Sequence, residues 1–224
     1  MIIKGVKISK SFFRNKEESN FFEALKETNI ELEENKFIEI IGKSGSGKST
    51  MLNILSGLLS PSTGNVYYDD MDIYEMPDSK RSKYRNENIG IIPQGQTGLQ
   101  NLTVLENVLL PSLLYSKEDK TEEALNLLKK LDIYDLKDSY PNELSGGELR
   151  RMAIARSLIM NPKIIFADEP TGDLDEENTK IVLDILKDIV LSGKTFVMVT
   201  HDKDALKYAD IVYKMTNGIL TKEK

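Results

Sequence analysis

The sequence contains no cysteine, which removes disulfide frameworks and thiolate metal sites together. It also lacks a long apolar run. The opening MIIKGVKISKSFF is too polar for the hydrophobic region of a secretory signal. The longest apolar-looking stretch, Ile181 to Leu191, is broken by Asp184, Lys187 and Asp188. Nothing in the 224 residues spans a bilayer unaided, so the expectation is a soluble cytosolic protein whose membrane role, if any, needs a partner. Excess positive charge is missing too. The formal net charge is -6, which argues against broad electrostatic binding to nucleic acid or anionic lipid. There is a single histidine, no internal repeat and no low-complexity linker. With 40% hydrophobic and 29% charged residues, the balance is that of an ordinary globular chain.

What is present is an alternation of strands and helices. IIKGVKIS alternates, NKFIEIIG reads as a strand ending at Gly42, and MLNILSGLL follows as a helix stopped by SPSTG. NVYYDDMDI reads as a strand and a turn. From Asn101 to Met160 the texture is helical, and TEEALNLLKKL carries a Thr121 N-cap candidate, early acids and late lysines. KIIFAD and TFVMVT are short apolar runs suited to strands buried on both faces. EENTKIVLDILKDIVLSG predicts an amphipathic helix with Ile181, Ile185 and Ile189 on one face and Gly193 as its stop. The pattern predicts a parallel α/β core with an inserted helical segment.

Three stretches carry chemistry. GKSGSGKST, from Gly42, fits the phosphate-loop pattern between an apolar strand and a helix, with Gly42, Gly47, Lys48 and Ser49 in register. Glycines let backbone N–H groups converge on phosphate, and the helix N-terminus adds positive potential. Lys48 would reach the β- and γ-phosphates and Ser49 would ligate Mg2+, with Ser44, Gly45, Ser46 and Thr50 completing the cradle. The bland alternative is a plain glycine-rich turn. IIFADEP ends a buried strand in two carboxylates, where ligands of open α/β sheets bind. Asp168 is suited to a Mg2+ hydration shell, and Glu169 to polarising an attacking water, rather than both being solvated loop acids. His201 follows TFVMVT at another strand end, where a ring nitrogen would reach the γ-phosphate or the water. A lone histidine is otherwise more often structural. LSGGELRR opens a helix with Ser145, Gly146 and Gly147, although glycine costs a helix about 1 kcal/mol. Ser145 and Glu148 also form a capping-box pattern, and a cap and an anion site use the same helix end.

The order phosphate loop, Gln94, LSGGE, IIFADEP, GDLD, VTHD resembles the nucleotide-binding domain of ATP-binding cassette (ABC) proteins across essentially the whole chain. The resemblance implies a P-loop NTPase with a RecA-like parallel core, an N-terminal antiparallel β subdomain and an inserted α-helical subdomain. It divides a single domain into residues 1–95, 96–160 and 161–224. It implies ATP and Mg2+ as ligands. Phe12 would stack on the adenine, and Gln94 would touch Mg2+ or water and sense a membrane partner. Glu169 would be the catalytic glutamate, and Asp175 would lie in the loop crossing a dimer interface. His201 would be the switch histidine. Two such domains sandwich two ATP head to tail, so Ser145, Gly146, Gly147 and Glu148 would meet the nucleotide of the other protomer. Three positions depart from the pattern: Phe12 for tyrosine, Glu148 for glutamine, which limits any ribose contact to an accepted hydrogen bond, and Pro93 for an aromatic before the glutamine.

LTVLENVLLP and FADEPTGDLD are most similar to the macrolide, lipoprotein and antimicrobial-peptide exporter group (MacB/LolD type), with FtsE as close kin. That resemblance implies an ATP-dependent homodimer on the inner face of a membrane, driving a separate FtsX- or MacB-like permease. A mechanical coupler of FtsE type uses the same ATP chemistry. A soluble ABC ATPase acting on nucleic acid or ribosomes fits less well, because the chain has no long coiled coil, no second cassette and no positive charge excess.

Overall fold

The computed structural model describes residues 1–13, 21–95, 98–115, 118–202 and 204–224. Two sheets form. In the first, β1 (Ile3–Phe13) lies between β2 (Phe21–Leu32) and β4 (Thr63–Tyr68), and β5 (Met71–Asp72) extends the edge, all antiparallel. The second contains β3 (Phe37–Ile41), β6 (Ile89–Ile92), β7 (Ile164–Asp168), β8 (Thr195–Thr200), β9 (Ile211–Thr216) and β10 (Ile219–Lys222). Its order is β10-β9-β3-β8-β7-β6, parallel except for the final β9–β10 hairpin. Helix α1 (Lys48–Leu55) follows β3, and α2 (Asp78–Asn88) precedes β6. Between β6 and β7 the chain inserts α3 (Val104–Tyr115), α4 (Thr121–Lys130) and α5 (Gly146–Leu158); α6 (Glu176–Leu191) joins β7 to β8. The parallel core and the helical insertion match the expectation.

The parallel strands are apolar on both faces because both are covered. Phe37, Phe196 and Met198 pack with Met152 and Ile154 of α5 and with Val182 and Leu186 of α6. Ile38, Ile40, Val197 and Val199 point the other way, onto Met51 and Leu55 of α1 and onto Ile3, Leu25 and Val66 of the antiparallel sheet. Three details differ from expectation. Helix α6 buries Val182, Leu183, Leu186 and Val190, while Ile181 is exposed; the buried stripe lies about one residue around the helix from the isoleucine row. Thr121 is the first helical residue, and the Asp119 carboxylate accepts its N–H at 2.9 Å. Helix α1 ends at Leu55, because Gly57 turns the chain left-handed at φ +76° before the proline is reached. Among the described residues no helix is long and apolar enough to cross a membrane.

One side chain opposes this packing. Glu39, in the middle of β3, is fully buried, and neither carboxylate oxygen has a partner among the described residues. Burial raises its pKa from the ordinary 4.5 to about 8; the charge of Asp202 adds to the rise and Lys224 opposes it. The folded chain therefore keeps a proton that the unfolded chain releases above pH 4.5, and stability falls as pH rises through that window toward 8. Glu39→Gln, which mimics the protonated acid, should melt near the parent at pH 5 and several degrees above it at pH 8.5. Parallel thermal melts at the two pH values check this.

Candidate functional site

The site starts where β3 stops. The loop from Gly42 to Gly47 runs into α1 with almost no room for side chains. A Cβ on Gly47, which has φ +106°, would lie 2.2 Å from the Ala24 carbonyl oxygen, and one on Gly42 2.3 Å from that of Met215. Lys48 is buried beneath the loop, and its Nζ donates to the carbonyls of Gly42 at 2.8 Å and Lys43 at 3.2 Å. The ammonium is thus held at the centre of the cradle by backbone alone. Ser49 Oγ donates to Asp168 Oδ1 at 3.1 Å, so the loop and the acidic end of β7 meet directly.

Burial pushes the Asp168 carboxyl above its ordinary value; the Ser49 hydrogen bond opposes the shift and the charge of Glu169 reinforces it. The chain then turns sharply. Glu169 has φ +48°, a left-handed conformation that costs a non-glycine residue on the order of 1 kcal/mol and here redirects the carboxylate. Its N–H is tied to Val199 O at 2.9 Å, and its carbonyl accepts the Gly172 N–H at 3.2 Å. Its Oε2 meets His201 Nδ1 at 2.9 Å and accepts from Thr200 Oγ1 at 3.3 Å. The glutamate side chain is 12% exposed and the histidine 72%, so the pair bridges the sheet edge and open solvent.

Several of these groups, though not Asp168, line one cleft of about 470 Å3. Ser44, Gly45, Gly47, Lys48, Ser49 and Thr50 form its floor, and Gln94, Glu169 and His201 form a wall. Ser46 turns away: it is buried and its hydroxyl has no partner among the described residues. Sequence reasoning missed Phe22, Ala24, Gly172 and Asp173, which also line the cleft. Phe12 does not. It faces Phe22 across the β1–β2 ladder, so the two rings share one sheet face, with Phe22 nearer the loop. The aromatic pair in SNFFEAL was the available signal.

The residues expected to act across a dimer lie elsewhere. Among the described residues, none from 145 to 148 lines the cleft, and neither does Asp175. Ser145 caps α5 in a capping box: its Oγ accepts the Glu148 N–H, and Glu148 Oε2 accepts the Ser145 N–H at 2.7 Å. Asp175 caps α6 through the Asn178 N–H at 2.8 Å. The two glycines prove to be different. A Cβ on Gly147 would stand 2.2 Å from Asn178 Oδ1, and that amide is pinned to both Asp175 oxygens at 3.0 and 2.9 Å. Gly146 is open, with Leu174 Cδ2 nearest at 3.6 Å. Gly147→Ala should therefore cost about 1–3 kcal/mol of stability, whereas Gly146→Ala should be neutral or slightly stabilising; melts of the two variants test the split. The helix is also tied to the segment before Gln94, because the buried Arg150 donates to Pro93 O at 3.1 Å.

With this geometry in hand, comparison with known proteins is unambiguous. The sequence profile of the family described as ABC transporter matches residues 25–172. The lipoprotein-releasing system ATP-binding protein LolD of Treponema denticola is 41% identical over 98% of this chain and 96% of its own length. The macrolide export ATP-binding/permease protein MacB of Chlorobium luteolum is 40% identical over 90% of this chain, a match that covers only 30% of that longer protein. Among solved structures, the dimeric ABC transporter cassette MJ0796, described as bacterial, superposes with a TM-score of 0.90 at 35% identity, covering 99% of each chain. A dimeric post-hydrolysis state of the same cassette bound to ADP and Pi gives 0.87. The chain belongs to the ATP-binding cassette transporter family, as one of its ATP-hydrolysing cassettes.

Proposed function

We propose that this chain binds ATP in the cleft at the phosphate loop, closes on a second copy of itself, hydrolyses the nucleotide and passes the resulting motion to a separate membrane permease. The observation that carries the reading is how the site residues are divided between the cleft and a helix end outside it. The loop, Glu169 and His201 face the cleft, while Ser145 and the bare Gly146 sit at a helix N-terminus outside it. A helix N-terminus suits a phosphate that another chain supplies.

In this reading the loop amides and Lys48 hold the phosphates. Lys48 already lies under the loop, so binding exchanges carbonyl partners for phosphate oxygens. Phe22 and Phe12 supply the apolar platform for the base. Glu169, oriented by Thr200 and His201, accepts the proton of a water whose oxygen attacks the γ-phosphorus. The bond to the β-phosphate oxygen breaks, leaving ADP and inorganic phosphate. Ser49 and Asp168, hard oxygen donors 3.1 Å apart beside the loop, fit Mg2+ and would be the side chains that hold it. Gln94 stands on the same cleft wall. When bound, the ion neutralises phosphate charge.

The permease is expected to be FtsX- or MacB-like. MacB joins ATP-binding and permease functions under one name, and this chain matches 30% of it. An apolar groove between α2 and α3, with Leu110, Leu114 and Tyr115 along it and exposed Leu113 beside it, offers a docking surface on the helical side. The chain would then sit at the cytoplasmic face of a membrane, and the cargo would be of lipoprotein, macrolide or antimicrobial-peptide type. Because two chains build each site, turnover per chain should rise with protein concentration in the isolated cassette and level off once the pair is saturated. Specific activity that stays flat across a wide dilution series would show a site complete within one chain. Co-purification of the membrane complex tests the partner.

A further inference from the structure

Ser145 has one hydroxyl proton, and in this chain that proton is committed. Its Oγ donates to Glu148 Oε2 at 2.7 Å, the same oxygen that accepts the Ser145 backbone N–H. The Glu148 carboxylate thus sits in the first turn of α5, against the positive end of the helix dipole. The two hydrogen bonds from Ser145, hydroxyl first, hold its pKa below the ordinary carboxylate range, and the charge of Arg151 adds to this. At the position where a phosphate is to be received, the helix end already has an anion of its own.

We propose that Glu148 is an intrachain competitor for the partner's γ-phosphate, an autoinhibitory side chain that limits how tightly the ATP-bound dimer closes. The inference rests on the reading that Ser145 and Gly146 face the nucleotide of the second chain. Closure then asks two things of this helix end. The Ser145 hydroxyl must turn from the carboxylate to the phosphate, since it has no second proton to give. A multiply charged phosphate must also come close to a carboxylate of like sign, in a space from which the two chains exclude water and in which screening is weak. Gly146 presents no side chain that shields one from the other. Both costs arise only on closure, so they fall on the dimer and leave the open chain's own cleft alone.

Glutamine at 148 separates charge from structure. Its amide oxygen still accepts the Ser145 N–H, so the capping box survives, but the negative charge is gone. The experiment uses the Glu169→Gln chain, in which ATP is not consumed, and measures the dimer dissociation constant at saturating ATP by analytical ultracentrifugation. Adding Glu148→Gln should tighten the dimer about tenfold, and because the closed site is weakly screened the gain should persist as ionic strength rises. An unchanged or weaker dimer overturns the proposal. Ser145→Arg in the same background keeps the two readings apart. If it abolishes the dimer while Glu148→Gln has no effect, the Ser145 end of α5 faces the partner and only the competition is wrong. If the arginine chain still dimerises, the underlying reading has failed.

Discussion

Glu169→Gln is expected to leave ATP binding intact while lowering hydrolysis by at least about a hundredfold. The Glu169 carboxylate lines the cleft and is held in place for proton acceptance. The left-handed turn at Glu169, its backbone bond to Val199 and the contacts from Thr200 and His201 together fix where its oxygens stand. Glutamine preserves the volume and accepts the Thr200 hydroxyl through its carbonyl oxygen, so the turn and the phosphate loop keep their shape. It does not take a proton from water. The nucleotide then remains uncleaved, the closed form is no longer emptied by turnover, and the chain should collect as an ATP-bound dimer in sizing chromatography. A monomer with near parental turnover would contradict both the role of Glu169 and the dimer.

The parts of the fold that were legible in the sequence are those where one physical demand dominates. FIEII and TFVMVT could hardly be anything but doubly covered strands, and GKSGSGKST needs glycines where Ala24 and Met215 carbonyls crowd the loop. Ser49 and Asp168 lie 119 residues apart, yet strand-end logic brought them together. Other features were illegible because tertiary partners decide them. Helix α2, DSKRSKYRNEN, buries no residue fully and carries no apolar stripe to betray it. The row Ile181, Ile185, Ile189 marks the edge of the buried face of α6: Ile185 and Ile189 pack partly buried against the core, Ile181 is exposed, and Val182, Leu186 and Val190 take the fully buried centre. Phe22 lines the cleft through a ladder register that spacing alone does not fix. Gly147 read as an anion-binding glycine, and Asn178 of its own chain also demands its bareness, a contact that spacing does not reveal; the space around Gly146 is open.

That division makes Ser145→Arg the sharpest variant of the account. The arginine stands at the end of α5, outside the cleft, so the chain's own phosphate loop is untouched. What it fills is the space over Gly146 where the phosphate of a second chain would dock. Loss of the capping serine should cost about 1 kcal/mol, which a thermal melt separates from any effect on assembly. The decisive measurement is the ATP-dependent oligomeric state of Glu169→Gln with and without Ser145→Arg, alongside ATP affinity from calorimetry. The account predicts that both chains bind ATP alike, that Glu169→Gln runs as a dimer, and that the double variant stays monomeric. A double variant that dimerises as readily, or a monomer that has lost its ATP affinity, would show that Ser145 does not serve a nucleotide held by the partner.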